Sequence, residues 1–376
     1  MRASRAELLR MRLRAQAIAG PKAMSPAAAV QRMLALQAQD FEAACWAVGT
    51  RTEGATRDDV FAALDSGAIV RSWPMRGTLH FVPPADLRWM LGVTTERMVA
   101  GLALRHRRLE LEDEHFGTAR ELVRAALSGG RRISRAELMA LWERNGIATG
   151  GQRGYHLIYY LAQTGLLCWG PLENGRQTLV LLDEWAPQAR ALEHDEALAE
   201  FFLRYLAGHG PATVKDFVWW TKGTMAGAKI AIAVLGDRIE SVEYDGTPYW
   251  VAAESVEAAG AAATHRQSTR DADAARLLPA FDEYLLGYQD RSPVLDAENA
   301  SVVVPGGNGV FAPIVVARGR IVGTWRRRAG TGRVTVDAVP LAAFTSTQRA
   351  QLRRTAAAYG RFLGTSGVLA ETVAAG

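Results

Sequence analysis

Cysteine is nearly missing from this 376-residue chain. Cys45 and Cys168 are the only two, each among apolar neighbours. Their spacing fits neither a zinc site nor a disulfide framework, so both are expected in the core. Lysine is scarce too, occurring only at 22, 215, 222 and 229, so the 44 basic residues are almost all arginine. No apolar run approaches the ~20 residues that a membrane span needs. The first residues lead into a charged amphipathic helix instead of a signal-peptide core, and the expected location is cytoplasmic. Also missing are a phosphate-binding Walker loop, a dinucleotide fingerprint after a strand, HExxH and GxSxG. The turn Gly306-Gly307-Asn308-Gly309 lacks the lysine and the helix start of a phosphate loop. No metal and no cofactor are therefore expected.

What is present is ordinary globular composition, with 49% hydrophobic and 22% charged residues, long enough for two or three domains. The net charge of +5 comes mostly from arginine, whose planar guanidinium offers two parallel donors to phosphate. An alanine- and arginine-rich chain also follows from a GC-rich genome, so charge permits nucleic-acid binding without establishing it.

Local signals repeat along the chain. Ser25 and Pro26 open a helix expected over 25–36; others follow over 41–48 and from Thr56, then strands over 69–73 and 78–82. Ser134 with Glu137 forms a capping box, and helices over 134–142 and 154–164 precede a hairpin, 166–170 and 178–182, turned at Asn174-Gly175. Helices over 196–207, from 211, and over 226–235 precede another hairpin, 239–244 and 247–251, turned at Asp245-Gly246. Residues 254–276 read as a linker or loose helical connection. Short strands are expected over 302–304, 314–316, 321–325 and 334–336, then a helix over 346–360.

Helices followed by a β-hairpin are the winged-helix plan, in which the second helix of a helix-turn-helix normally enters the major groove. The expected class is α+β: three tandem winged-helix units, a β-rich C-terminal part and a terminal helix. The expected domains are 1–110, 111–192, 193–275 and 276–376. Any one unit could instead be a packing module.

Four constellations carry chemistry. In Leu36-Gln37-Ala38-Gln39-Asp40, an extended chain would let Gln37 and Gln39 reach one cavity. Amides do not titrate, but their carbonyl oxygens can hold a water and steady a positive charge. Equally, they can cap a helix or bond neighbouring backbone. The hairpin with Arg71, Trp73, Arg76 and His80 puts cations beside an aromatic ring, which suits phosphate and an unstacked base. The alternative is a buried Trp73 and a hydrogen-bonded His80. In 277–291 the acids Asp282, Glu283 and Asp290 have no histidine nearby, and a structural role pairing Asp282 or Asp290 with Arg291 is expected. Finally, alternation places Arg326 and Arg328 on one face of a basic strand, able to track phosphate or to guard a solvated edge.

These residues taken in order resemble the AlkZ-like winged-helix DNA glycosylases: Gln37-Ala38-Gln39-Asp40, Arg71-Ser72-Trp73-Pro74-Met75-Arg76-Gly77-Thr78-Leu79-His80, Leu278-Pro279-Ala280-Phe281-Asp282-Glu283-Tyr284 and Gly323-Thr324-Trp325. The resemblance spans nearly the whole chain. It implies tandem winged helices curved around duplex DNA and excision of alkylated purines, including unhooking of interstrand crosslinks. It also implies a catalytic Gln-apolar-Gln motif at Gln37, Ala38 and Gln39. A sister branch carries Asp at the last of these positions; Gln39 favours the branch resembling azinomycin-type self-resistance enzymes. The expected partner is double-stranded DNA carrying alkylated purines, met by a monomer with no membrane involvement. A non-catalytic winged-helix regulator or lesion sensor, or a protein that sequesters the drug itself, remains the alternative.

Overall fold

The computed structural model describes residues 2–255, 271–307 and 309–370. Most of the linker expected over 254–276, and Asn308 of the glycine turn, lie outside the described residues. Two compact units result: Met1–Val60 with Ala199–Gly376, and Phe61–Leu198. This division cuts across the four sequence segments, the first of which would run to residue 110.

In the second unit, helices Asp113–Leu127, Arg135–Arg144 and Arg153–Gln163 precede the hairpin Leu167–Glu173 and Arg176–Leu181. Ser134 caps as its sequence requires: its hydroxyl accepts from the Glu137 backbone N–H at 3.2 Å, and its own N–H donates to the Glu137 carboxylate at 2.8 Å. A lone antiparallel bridge, Ile133 to Leu179, adds a short third strand. The hairpin Val70–Met75 and Thr78–Val82 joins the later one through Arg71 opposite Trp169. Leu127, Leu138, Trp142, Leu157 and Leu161 fill the core with Trp73. Two helices carried no strong local signal, Pro84–Ala100 and Asp113–Leu127. Their caps, Pro83 and Glu112, are not the Ser/Thr/Asn/Asp that mark helix starts most clearly.

Helix His194–His209, which passes into the first unit at Ala199, and helices Val214–Thr221 and Met225–Leu235 precede the hairpin Ile239–Tyr244 and Thr247–Ala252. An antiparallel bridge, Ala212 to Trp250, again supplies a short third strand. The C-terminal sheet runs in the order Ser366–Leu369, Arg333–Pro340, Arg320–Gly330, Ile314–Ala317, Arg276–Leu278. Its last strand pairs in parallel and was not legible in sequence. It packs against helix Ser346–Phe362, where a Cβ on Gly360 would lie 2.1 Å from the Gly367 nitrogen; only glycines allow this backbone-to-backbone contact.

Three local expectations are corrected or refined. The strand expected over 302–304 is a one-turn helix, Ala300–Val303, because the preceding helical turn Ala297–Asn299 continues into it. The basic strand Arg320–Gly330 is central in its sheet as far as Thr324 and becomes an edge beyond it, where Arg326 and Arg328 lie. The helix expected over 25–36 stops at Met33, because Leu34 takes φ 61°, a left-handed value that ends helical hydrogen bonding. Leu34 is fully buried, and packing holds it there.

Candidate active site

That turn at Leu34 frees the glutamine motif from the helix. The chain runs extended through Leu36–Gln37, then Asp40 starts helix Phe41–Arg51, its carboxylate accepting from the Ala43 N–H at 3.0 Å. Gln37 and Gln39 thus sit on a short segment pinned at both ends by helix termini. Gln37 is buried, at 7% exposure, and Gln39 is exposed. The Gln37 side-chain carbonyl accepts from the Gln39 backbone N–H at 3.2 Å. The neighbouring-backbone bond foreseen for these residues therefore exists, and it fixes the Gln37 carboxamide immediately beside Gln39. A carbonyl oxygen has a second lone pair, so this contact does not exhaust it.

Beneath the motif lies a buried polar network that local sequence reading missed. The Gln37 backbone N–H donates to Glu283 Oε1 at 3.1 Å, across 246 residues of chain. Glu283 Oε2 accepts from Trp220 Nε1 at 2.8 Å and lies 3.5 Å from His209 Nε2. Phe281, at φ 58°, turns the chain so that Asp282 caps the turn Glu283–Leu286 through the Tyr284 N–H. Asp282 takes a two-pronged bond from Arg51, Nη1 to Oδ2 at 2.9 Å and Nη2 to Oδ1 at 2.8 Å. Gln16 accepts from the same guanidinium at 2.8 Å, and Gln16 Nε2 donates to the Tyr288 hydroxyl at 3.1 Å. The pairing expected for Asp282 with Arg291 is thus replaced by Arg51, whose helix directly follows the motif. The Arg291 guanidinium lies over the Trp219 and Phe311 rings, 5.0 and 4.9 Å from their centroids. One signal could have found this network: two adjacent acids in the apolar run 277–288 must be paired if they are buried.

His209 lies within this network, stacked on Tyr205 at 4.8 Å between ring centroids. Burial holds its pKa below the ordinary 6.5, with the hydrogen bond to Glu283 opposing. In the second unit, burial also lowers His106 and His156. Below about pH 6.5 the unfolded chain takes up protons on these rings that the folded chain resists, so stability must fall as pH drops. The unfolding midpoint is expected to decrease from pH 7.5 to pH 5 in thermal melts; a midpoint that rises over this range would contradict the assignment.

The other sequence-singled residues separate. Trp73 is 1% exposed, with its ring centroid 5.6 Å from that of Tyr159, in the core of the second unit. His80 is fully buried, Nδ1 at 2.8 Å from its own Thr78 carbonyl and Nε2 at 3.1 Å from Arg76 Nη2. Both follow the buried alternative and offer almost no surface to a partner. Arg71 is half-buried and donates to Gln177 at 3.0 Å. Arg76 is also half-buried. Arg328 is held in a two-pronged bond to Asp337 at 2.6 and 2.8 Å. Arg326 is exposed and, with Asp40, Trp46, Trp325 and Tyr359, lines a cavity of about 100 Å³ beside the motif. That volume is too small for a drug-sized ligand, which needs ~300 Å³ or more. A cavity of about 1200 Å³ lies on the far side of Trp46, bordered by Lys22 and Arg276. Burial pushes the Lys22 amine down to about 8. Neither glutamine lines that cavity.

Among the described residues, no group of three or more His, Cys, Asp or Glu could hold a metal ion, and no helix is long and apolar enough to cross a membrane. The family model for AlkZ-like DNA glycosylases matches residues 30–362. The chain belongs to the AlkZ-like DNA glycosylase family. It is 27% identical over 346 residues to an interstrand DNA cross-link repair glycosylase of Streptomyces sahachiroi, covering 86% of this chain and 88% of that protein. The solved structure of Streptomyces sahachiroi DNA glycosylase AlkZ superposes with a TM-score of 0.82 at 25% identity, covering 99% of this chain and all of that one. The family makes the chain an enzyme, a DNA glycosylase that hydrolyses N-glycosidic bonds, and its motif lies within the matched span. The non-catalytic regulator and the drug-sequestering protein are thereby set aside.

Proposed function

We propose that this glycosylase excises N7-alkylated purines from duplex DNA, bulky adducts and interstrand crosslinks included, with Gln37 and Gln39 as its catalytic residues. One observation carries the assignment: an exposed Gln39 adjoins a Gln37 whose carboxamide and backbone are both held in place. Preorganisation of this kind is what electrostatic stabilisation requires, since fixed dipoles cost no reorganisation during the reaction.

An N7-alkylated guanine already carries positive charge, so its bond from N9 to C1′ breaks without an acid. The electron pair leaves with the base, which departs neutral. The sugar is left as an oxocarbenium ion. A water oxygen, oriented by an amide carbonyl that accepts one of its hydrogens, then bonds to C1′, and the proton of the resulting oxonium is lost to solvent water. Two amide oxygens suffice to hold that water and to face the developing charge. The cavity beside the motif is small, and a crosslinked base resists flipping into a tight pocket, so an open surface suits this substrate. The cross-link activity in the name of the Streptomyces sahachiroi relative supports the bulky end of the range.

The recurring order of helices and hairpin supports three tandem winged-helix units, with 1–110 the first of them. The protein acts as a monomer on double-stranded DNA. Arg326 is the best placed of the expected phosphate contacts, exposed at the rim of the cavity that Asp40 shares; Arg71, Arg76 and Arg328 are further phosphate contacts. The test is incubation with duplexes carrying N7-methylguanine or an N7-linked interstrand crosslink, followed by chromatography of the free base. Release of the base with an abasic site left in the strand is the expected result. Binding with no release from either duplex would refute the substrate assignment.

A further inference from the structure

Glu283 is 1% exposed, and each of its oxygens has a different assignment: Oε1 receives the Gln37 backbone N–H, and Oε2 receives Trp220 Nε1–H beside His209. We infer that Glu283 is a positioning residue for base excision, and that its Oε1 sets the place of Gln37 by anchoring the backbone at the motif's first glutamine. The inference rests on the catalytic reading of Gln37 and Gln39.

The physical case starts from a short strand. Leu36–Gln37 is two residues long, emerges from a left-handed turn at Leu34, and continues into a helix cap at Asp40. At Gln37 the backbone N–H is held by a side chain and not by another strand. A buried backbone N–H must find an acceptor, and a carboxylate is a strong one. Its other oxygen is held by the indole of a fully buried tryptophan, so the carboxylate is itself fixed. Rigidity passes from Trp220 through Glu283 to the Gln37 backbone. It continues from the Gln37 carboxamide to the Gln39 N–H. Asp282, locked by Arg51, holds the adjoining residue. Misplacing a reacting group by about 1 Å can cost ~10²-fold in rate.

An acceptor at Oε1, and not the negative charge, is the requirement. Replacing Glu283 by alanine removes the acceptor for both donors. Single-turnover excision from an N7-methylguanine duplex at saturating enzyme should slow by ~10²-fold. DNA affinity should stay within about threefold, since the carboxylate is buried and touches no DNA. Glu283→Gln keeps one acceptor oxygen but turns an NH2 group toward Trp220, whose N–H is also a donor. Adding Trp220→Phe removes that clash, and the amide NH2 can then donate to His209 Nε2 with the imidazole proton on Nδ1. Glu283→Gln combined with Trp220→Phe should regain most of the rate lost in Glu283→Ala.

A folded Glu283→Ala enzyme that excises at the wild-type rate overturns the inference, as does one that loses rate only through weaker DNA binding. A folded double variant as slow as Glu283→Ala also overturns it, since charge would then be what matters. If Glu283→Ala does not fold, the wild-type protein with 15N-labelled glutamine decides. The Gln37 amide proton should exchange slowly and resonate downfield; rapid exchange overturns the anchor. Gln39→Ala separates the two readings. If it retains wild-type excision, the catalytic assignment has failed, whereas an inactive Gln39→Ala beside a fully active Glu283→Ala leaves that assignment standing and removes only the anchor.

Discussion

Gln39→Ala should lower single-turnover release of N7-methylguanine by ~10²–10³-fold while leaving the unfolding midpoint and DNA affinity nearly unchanged. The magnitude is that of losing one preorganised dipole aimed at developing charge. The lack of a stability effect follows from exposure, because Gln39 is a surface side chain and such substitutions usually stay within ~0.5 kcal/mol. Gln37→Ala should lose a similar factor in rate, but it should also loosen the motif. Its side chain is buried, and removing it deprives the Gln39 N–H of its acceptor. The expected signature is thus paired: two slow enzymes, only one of them less stable. Wild-type excision by either variant would remove that residue from the chemistry.

The second large effect concerns stability. Arg51 and Asp282 are both fully buried and joined by two bonds of 2.8 and 2.9 Å. Arg51→Met fills similar volume but leaves the Asp282 carboxylate in the interior without its cation. Breaking one side of a buried ion pair typically costs ~3–5 kcal/mol, because the remaining charge is neither solvated nor paired. A denaturant titration followed by tryptophan fluorescence should show this loss in the first unit, where Trp46 and Trp220 report. Adding Asp282→Asn removes the stranded charge and should recover part of the loss. If Arg51→Met is as stable as the parent, the pair carries no such weight. Because Asp282 adjoins Glu283, Arg51→Met should also slow excision.

How legible the molecule is in its sequence differs by feature, for a consistent reason. Ser25 and Ser134 mark helix starts because a cap needs only a hydroxyl and an N–H two or three residues away. Asn174-Gly175 and Asp245-Gly246 mark hairpins because their positive φ values fix the turn locally. The paired glutamines stand out by spacing, and with the other motifs they carry the family resemblance.

Burial and long-range pairing are another matter. A hairpin containing Arg71, Trp73, Arg76 and His80 reads equally as a DNA-facing or an inward-facing element, since alternation says which residues share a face but not what covers it. The surrounding rings of Tyr155, Tyr159 and Trp169 decided that Trp73 is core. Leu34 shows no propensity for a left-handed turn; packing imposed one, and only that turn straightens the chain at Gln37.

The amino-acid order alone therefore settled the helix caps, the hairpin turns and which two amides stand at 37 and 39. Tertiary structure decided which carboxylate holds Gln37, which arginine neutralises Asp282, and which aromatic rings are buried. Those partners lie more than 200 residues apart along the chain, and no periodicity or propensity links such distant positions until the fold encloses them.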